Sequence, residues 1–116
     1  MPILQKTKPI LIYTTYPFLS QAQEMAAVLL QKRLAAGVNI FPDMQSMFWW
    51  NNHITTANEV VLLIKTTSSC FAKVEKTILS AHPYTCPCIF QIDISNGHTP
   101  FLKWIHTEIP TEDTSS

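Results

Sequence analysis

Residues 38–67, VNIFPDMQSMFWWNNHITTANEVVLLIKTT, decide how this chain folds. Asn51 and Asn52 tolerate positive φ and are turn chemistry, so they join two strands, Val38 to Trp50 and Ile54 to Thr67. Pro42-Asp43 breaks or bulges the first of them. Together they make one hairpin, long for a small sheet, and its outer part is expected to pair with a neighbouring subunit. Phe48, Trp49 and Trp50 crowd its end. Aromatic residues are enriched at interfaces, so the cluster reads as interface packing, with a ligand-stacking platform as the other reading.

Outward from the hairpin, Pro9 to Thr15 (PILIYTT) is an almost continuous apolar run, the pattern of a buried central strand. Ser20 with Gln23 three residues on predicts a capped helix start. Ala22, Met25, Ala26, Leu29, Leu30 and Leu34 then recur at helical spacing, and Gly37 is the expected stop. After the hairpin, Ser69 is placed to cap a second helix with Phe71, Val74, Ile78 and Ala81 inward. Cys86 to Ile94 reads as a fourth strand, Asn96-Gly97 as a turn, and Thr99-Pro100 as the start of a last helix carrying Phe101, Leu102, Ile105 and Ile109. The order β-α-β-β-α-β-α predicts an α+β fold, a split βαβ or ferredoxin-like sandwich with an antiparallel sheet and helices on one face. Residues 9–109 form its single domain, preceded by an N-terminal segment 1–8 and followed by a frayed polar tail 110–116.

Composition narrows the functional classes. Hydrophobic residues make up 47% of the 116 and charged residues 14%, low against a typical quarter, so part of the surface is expected to be covered by another subunit. Eight basic and eight acidic residues leave no electrostatic footprint for nucleic acid or an anionic membrane. No apolar run reaches a bilayer's length. Met1 to Lys6 lack a charged region followed by an apolar one, and three cysteines are too few for a disulfide scaffold, so a cytoplasmic location is expected. With only Gly37 and Gly97 there is no phosphate loop, and no Ser-His-Asp set can be assembled. Cys86 near His82 is formally a thiol–base pair, but no enzymatic activity is expected.

The chemistry-bearing residues gather at His82-Pro83-Tyr84-Thr85-Cys86-Pro87-Cys88. Pro83 biases His82 away from helix, so the second helix should end there, and on an extended strand Cys86 and Cys88 face one way. An imidazole and two thiols, His82, Cys86 and Cys88, suit copper(I) or zinc. The plainer reading is a packed corner with His82 hydrogen-bonded and the cysteines acting as small hydrophobes. On the third strand, alternation puts Glu59 and Lys65 on one face, six residues and roughly 20 Å apart, so the two could meet only through another subunit. Lys65 reads either as part of an interface salt bridge or as a cleft lysine for an anionic ligand. His53, His98 and His106 are isolated.

Six stretches in order resemble the CutA family, the divalent-cation-tolerance proteins, over roughly residues 9–108. They are Thr14 to Pro17, Lys32 to Ile40, Ser46 to Trp50, Glu59 to Thr66, His82 to Tyr84 and Phe101 to Ile105. The resemblance implies a ferredoxin-like subunit in a tight trimer built through edge strands, similar in architecture to nitrogen-regulatory PII proteins, with no established enzyme activity. It also implies a link to copper and other divalent cations. The residues themselves make Trp50, Glu59, Lys65 and Tyr84 the candidates for a ligand cleft or trimer interface. This chain departs from the family's pattern at informative places. Gly37 replaces a cysteine; Phe48, Trp50 and Asn52 stand where the family reads Tyr-x-Trp-x-Gly; and Thr85 and Cys88 replace two glutamates after His82-Pro83-Tyr84. Those glutamates are natural ion ligands, so the departures describe a divergent paralogue. Two functions follow: a homotrimer binding an ion or small ligand between subunits, or a scaffold that has lost the ion site.

Overall fold

The computed structural model describes residues 7–110. The expectations for most of segment 1–8 and of tail 110–116 therefore lie outside the described residues. Four strands, β1 (Pro9–Tyr16), β2 (Gly37–Trp50), β3 (His53–Thr67) and β4 (Ile89–Asp93), form one sheet in the order β2-β3-β1-β4. Every neighbouring pair is antiparallel. The helices are α1 (Leu19–Gln31), α2 (Phe71–Leu79) and α3 (Thr99–Glu108). This is the ferredoxin-like arrangement that the order of elements predicts.

Alternation along β1 and β3 divides the sheet into two faces. Ile10, Ile12 and Tyr16 of β1 and Val60, Leu62 and Ile64 of β3 form the core face, all buried. Ala22, Met25 and Leu29 of α1 and Val74 and Ile78 of α2 close over it. Burying each large aliphatic side chain contributes about 1.5–3 kcal/mol, and this layer supplies most of the drive to fold. The other face carries Tyr13 and Thr15 of β1 and Glu59, Val61, Leu63 and Lys65 of β3. One expectation fails here, that all helices share a face. Phe101 and Trp104 of α3 lie over Lys65 and Gly37 on the opposite face, where Gly37 lets the indole approach: a Cβ there would stand 3.2 Å from it.

Several local boundaries also differ from expectation. α1 begins at Leu19 with Phe18 as N-cap, so Ser20 lies inside the helix and makes no capping bond. Its end is not set by Gly37. Arg33 takes a left-handed conformation (φ 57) and donates its N–H to the Leu30 carbonyl, while Leu34 donates to Leu29, closing the last turn four residues earlier. Gly37 opens β2 instead. Ser69 sits in a 3₁₀ turn, Ser68–Cys70, rather than at the cap of α2, and its hydroxyl contacts those of Thr7 and Thr67. α2 stops at Leu79, before His82, and Ala81 is exposed beyond it. α3 begins at Thr99, with His98 as its cap.

The hairpin keeps its predicted turn, Asn51 and Asn52 both having positive φ (50 and 64). Its register shifts between Phe41 and Met44, with Asp43 at φ 61. Three residues on β2 there span two on β3, so the side chains of β2 exchange faces at this bulge. Beyond it Ser46 pairs with Ala57 and Phe48 with Thr55, on the same face as Glu59. Pairing of β3 with β1 ends at Tyr16–Val60, and residues 44–59 project as a two-stranded ribbon. The chain is accordingly 52 Å long and only 28 Å and 26 Å across.

Candidate functional site

Glu59 stands where the ribbon leaves the sheet, on the face that α1 and α2 leave open. The connection from α2 to β4 folds back over the same place. Its position is held by three contacts. Tyr84 donates its hydroxyl hydrogen to Glu59 Oε2 at 3.0 Å. His82 Nε2 lies 2.7 Å from the Thr15 carbonyl, and the Tyr84 N–H donates to His82 Nδ1 at 3.1 Å. A carbonyl can only accept, so Nε2 carries the hydrogen and Nδ1 is the acceptor. The imidazole also stacks on Tyr16, centroids 4.3 Å apart, and lies against Tyr84 at 5.0 Å.

Between this connection and the ribbon is an open cleft of about 600 Å³. Phe48 and Trp50 form its hairpin wall, Tyr13, Thr15 and Glu59 its floor, and Tyr84, Thr85, Cys86 and Cys88 its far wall. The bulge is what turns Phe48 toward Glu59. Of the residues lining the cleft, Glu59 alone is acidic, and none is a lysine, arginine or histidine. Glu59 is 9% exposed, and its Oε1 has no hydrogen-bond partner among the described residues.

The surrounding groups hold their protons tightly. Burial, followed by the hydrogen bond to Glu59 and that residue's charge, pushes the Tyr84 phenol up to about 12. The Tyr13 phenol is also raised, by burial first and then by Cys88 and Glu59. The Cys88 thiol is pushed up from 9.0 by burial, then by Glu59 and by Cys86. A thiol held protonated is a weaker nucleophile and a weaker metal ligand.

The sequence-predicted residues divide accordingly. Trp50, Glu59, Tyr84, Cys86 and Cys88 share the cleft. Lys65 does not: its Nζ lies 5.7 Å from the Phe101 ring centroid, toward the opposite end of β3. The only ion pair among the described residues is Arg33 with Glu108, at 2.9 Å. Cys86 and Cys88 precede β4 and do not sit on a strand, because β4 pairs only with Ile10 to Thr14 of β1 and Pro87 has no N–H to donate. His82 is not assembled with them as a metal trio, since both its nitrogens are engaged within the chain. Among the described residues no three His, Cys, Asp or Glu side chains are grouped to hold a metal ion. Tyr13 and Thr15 were not singled out, although strict alternation along β1 marks them as facing away from Ile12.

Comparison with known proteins gives a consistent answer. Residues 10–108 match the CutA1 divalent ion tolerance protein family. The divalent-cation tolerance protein CutA of Archaeoglobus fulgidus is 47% identical over 94 residues, 81% of this chain and 91% of that protein. Human protein CutA is 33% identical over 93 residues, 80% of this chain and 52% of the human one. Among solved structures, the protein described as periplasmic divalent cation tolerance protein CutA from A. fulgidus superposes with a TM-score of 0.84 at 43% identity, covering 88% of this chain and 99% of that one. CutA1 from Oryza sativa superposes at 0.86 with 28% identity, covering 90% and 96%.

Proposed function

The chain belongs to the CutA1 divalent ion tolerance protein family, and from that premise we propose that it is a non-enzymatic homotrimer that takes a small ligand into the cleft beside Glu59, as part of a response to metal ions. The observation that carries the assembly is the projecting ribbon. Met47 is 69% exposed, Trp49 71% and Ile54 64%, and an isolated two-stranded ribbon is marginal in water. A neighbouring subunit that covered these side chains would take a group of exposed apolar residues out of water. The same contact would place a second chain beside the open side of the cleft. Light scattering at micromolar concentration tests this: the expected mass is three subunits, and a monomer would overturn it.

Direct ligation of a metal by His82, Cys86 and Cys88 is not part of this proposal. The imidazole nitrogens are occupied, the Cys88 thiol is raised, and Thr85 and Cys88 stand where the family pattern has glutamates. A scaffold that has lost the ion site is the second reading, favoured by the lack of a grouped metal-ligand set among the described residues. Titration of the purified assembly with copper and zinc separates the two, because a scaffold binds neither stoichiometrically. A cytoplasmic location also belongs to the proposal, supported by Cys70, Cys86 and Cys88 as free thiols. Cell fractionation tests it.

A further inference from the structure

The cleft has a chemistry of its own that narrows the ligand. Its floor holds a carboxylate that is more than nine-tenths buried and accepts one hydrogen bond, from Tyr84. Its second oxygen has no partner among the described residues, and the lining supplies no cationic side chain. That second oxygen opens onto the cleft, where a cation could pair with it, and a charge so nearly buried gains more from a partner than one at the surface. The walls, meanwhile, are aromatic: Tyr13, Phe48, Trp50 and Tyr84 present rings to the same space. Ring faces attract cations, most strongly where water is excluded.

Three classes of occupant compete for such a site. An anion would meet Glu59 with no lysine or arginine from the same chain lining the cleft to offset it, which disfavours anionic metabolites. Calcium takes six to eight oxygen ligands, and magnesium is held through one or two carboxylates together with waters and substrate phosphates, so a lone carboxylate between aromatic walls favours neither. A soft ion needs thiolates, and the local environment keeps Cys88 as a thiol. What remains is a cation that carries its own apolar body. Resting on the cleft reading above, we propose that this cleft binds an organic ammonium ion, its charged end at Glu59 Oε1 and its apolar body against Trp50, Phe48 and Tyr13. Tyr84 is the positioning residue: its O–H fixes Oε2 and leaves Oε1 turned to the ligand.

The test uses three probes of one shape and different charge, titrated to millimolar concentration into the full chain in its native assembly. They are phenethylammonium, 2-phenylethanol and phenylacetate, followed by calorimetry and by tryptophan fluorescence. Phenethylammonium is expected to bind at least tenfold more tightly than the alcohol, with phenylacetate weaker still. Glu59→Gln should remove that tenfold preference and leave the alcohol's affinity in place, and Tyr84→Phe should reduce it partway. The charge series on the unmodified protein stands even where a variant folds poorly. Equal binding of the three probes would overturn the ammonium assignment while leaving a small-molecule cleft intact. So would a preference that survives Glu59→Gln. Absence of binding by all three in a protein that scatters as a trimer would overturn both the ammonium assignment and the ligand cleft, leaving the scaffold reading.

Discussion

Trp50→Ala is the substitution that most directly tests how this chain is used. The indole ends β2, opposite His53, and keeps 54% of its surface exposed on the single chain. A tryptophan buries at most about 250 Å², so roughly 130 Å² remains to be covered, worth about 3 kcal/mol per subunit at about 25 cal/mol/Å². Three symmetry-related copies make that about 9 kcal/mol per trimer, an upper figure because part of the indole also walls the cleft and because unfolded and dissociated chains are themselves partly collapsed. The half-dissociation concentration of a trimer varies as the square root of its dissociation constant. At 1.4 kcal/mol per tenfold, Trp50→Ala should therefore raise that concentration by about three orders of magnitude. Melting should fall by on the order of 10 °C. Analytical ultracentrifugation over a dilution series, paired with thermal denaturation, reads both quantities. An unchanged mass at the lowest concentration together with an unchanged melting point would refute the reasoning, showing that the indole stays open on every copy.

Asn52→Gly should stabilise the hairpin by a few tenths to about 1 kcal/mol, because glycine adopts the positive φ of 64 without strain, and urea denaturation measures it. Tyr16→Phe should be neutral or stabilising, since the hydroxyl of this 1%-exposed side chain has no hydrogen-bond partner among the described residues. A loss above about 1 kcal/mol would mean that the hydroxyl is bonded in the assembly. Tyr16 and Tyr84 both hold their phenolic protons up to about 12. The folded state therefore binds those protons more tightly than an unfolded chain, whose tyrosines titrate near about 10. Their contribution is fully present below about pH 10 and is lost as pH rises through about 12, so urea midpoints should stay flat and then decline across that window. Tyr84→Phe should make the decline shallower; an identical slope would show that the Tyr84 contact with Glu59 does not persist in solution.

What the amino-acid sequence determines here is what short-range periodicity can carry. The apolar run at Pro9, the helical spacing from Ala22 to Leu29, the Asn51-Asn52 turn and the break at Pro42-Asp43 all act within a few residues, and together they specify a ferredoxin-like order. Trp50, Glu59 and Tyr84 were legible as site residues for their chemistry. Their meeting in one cleft was not legible, because Glu59 and Tyr84 are 25 residues apart and come together only when the α2–β4 connection folds back. The fates of His82, Cys86 and Cys88 were decided in the same way. The carbonyl of Thr15 reaches across 67 residues to take the imidazole hydrogen, and with that carbonyl occupied and no N–H on Pro87 the fourth strand does not extend along β1 to the cysteines. The bulge shows the limit most plainly. Its location was visible in Pro42-Asp43, but whether it turned Phe48 and Trp50 or Met47 and Trp49 toward Glu59 depended on the β2–β3 register. Strand side chains alternate with a period of two, so one inserted residue reverses every position beyond it, and only the hydrogen-bonded ladder counts that residue.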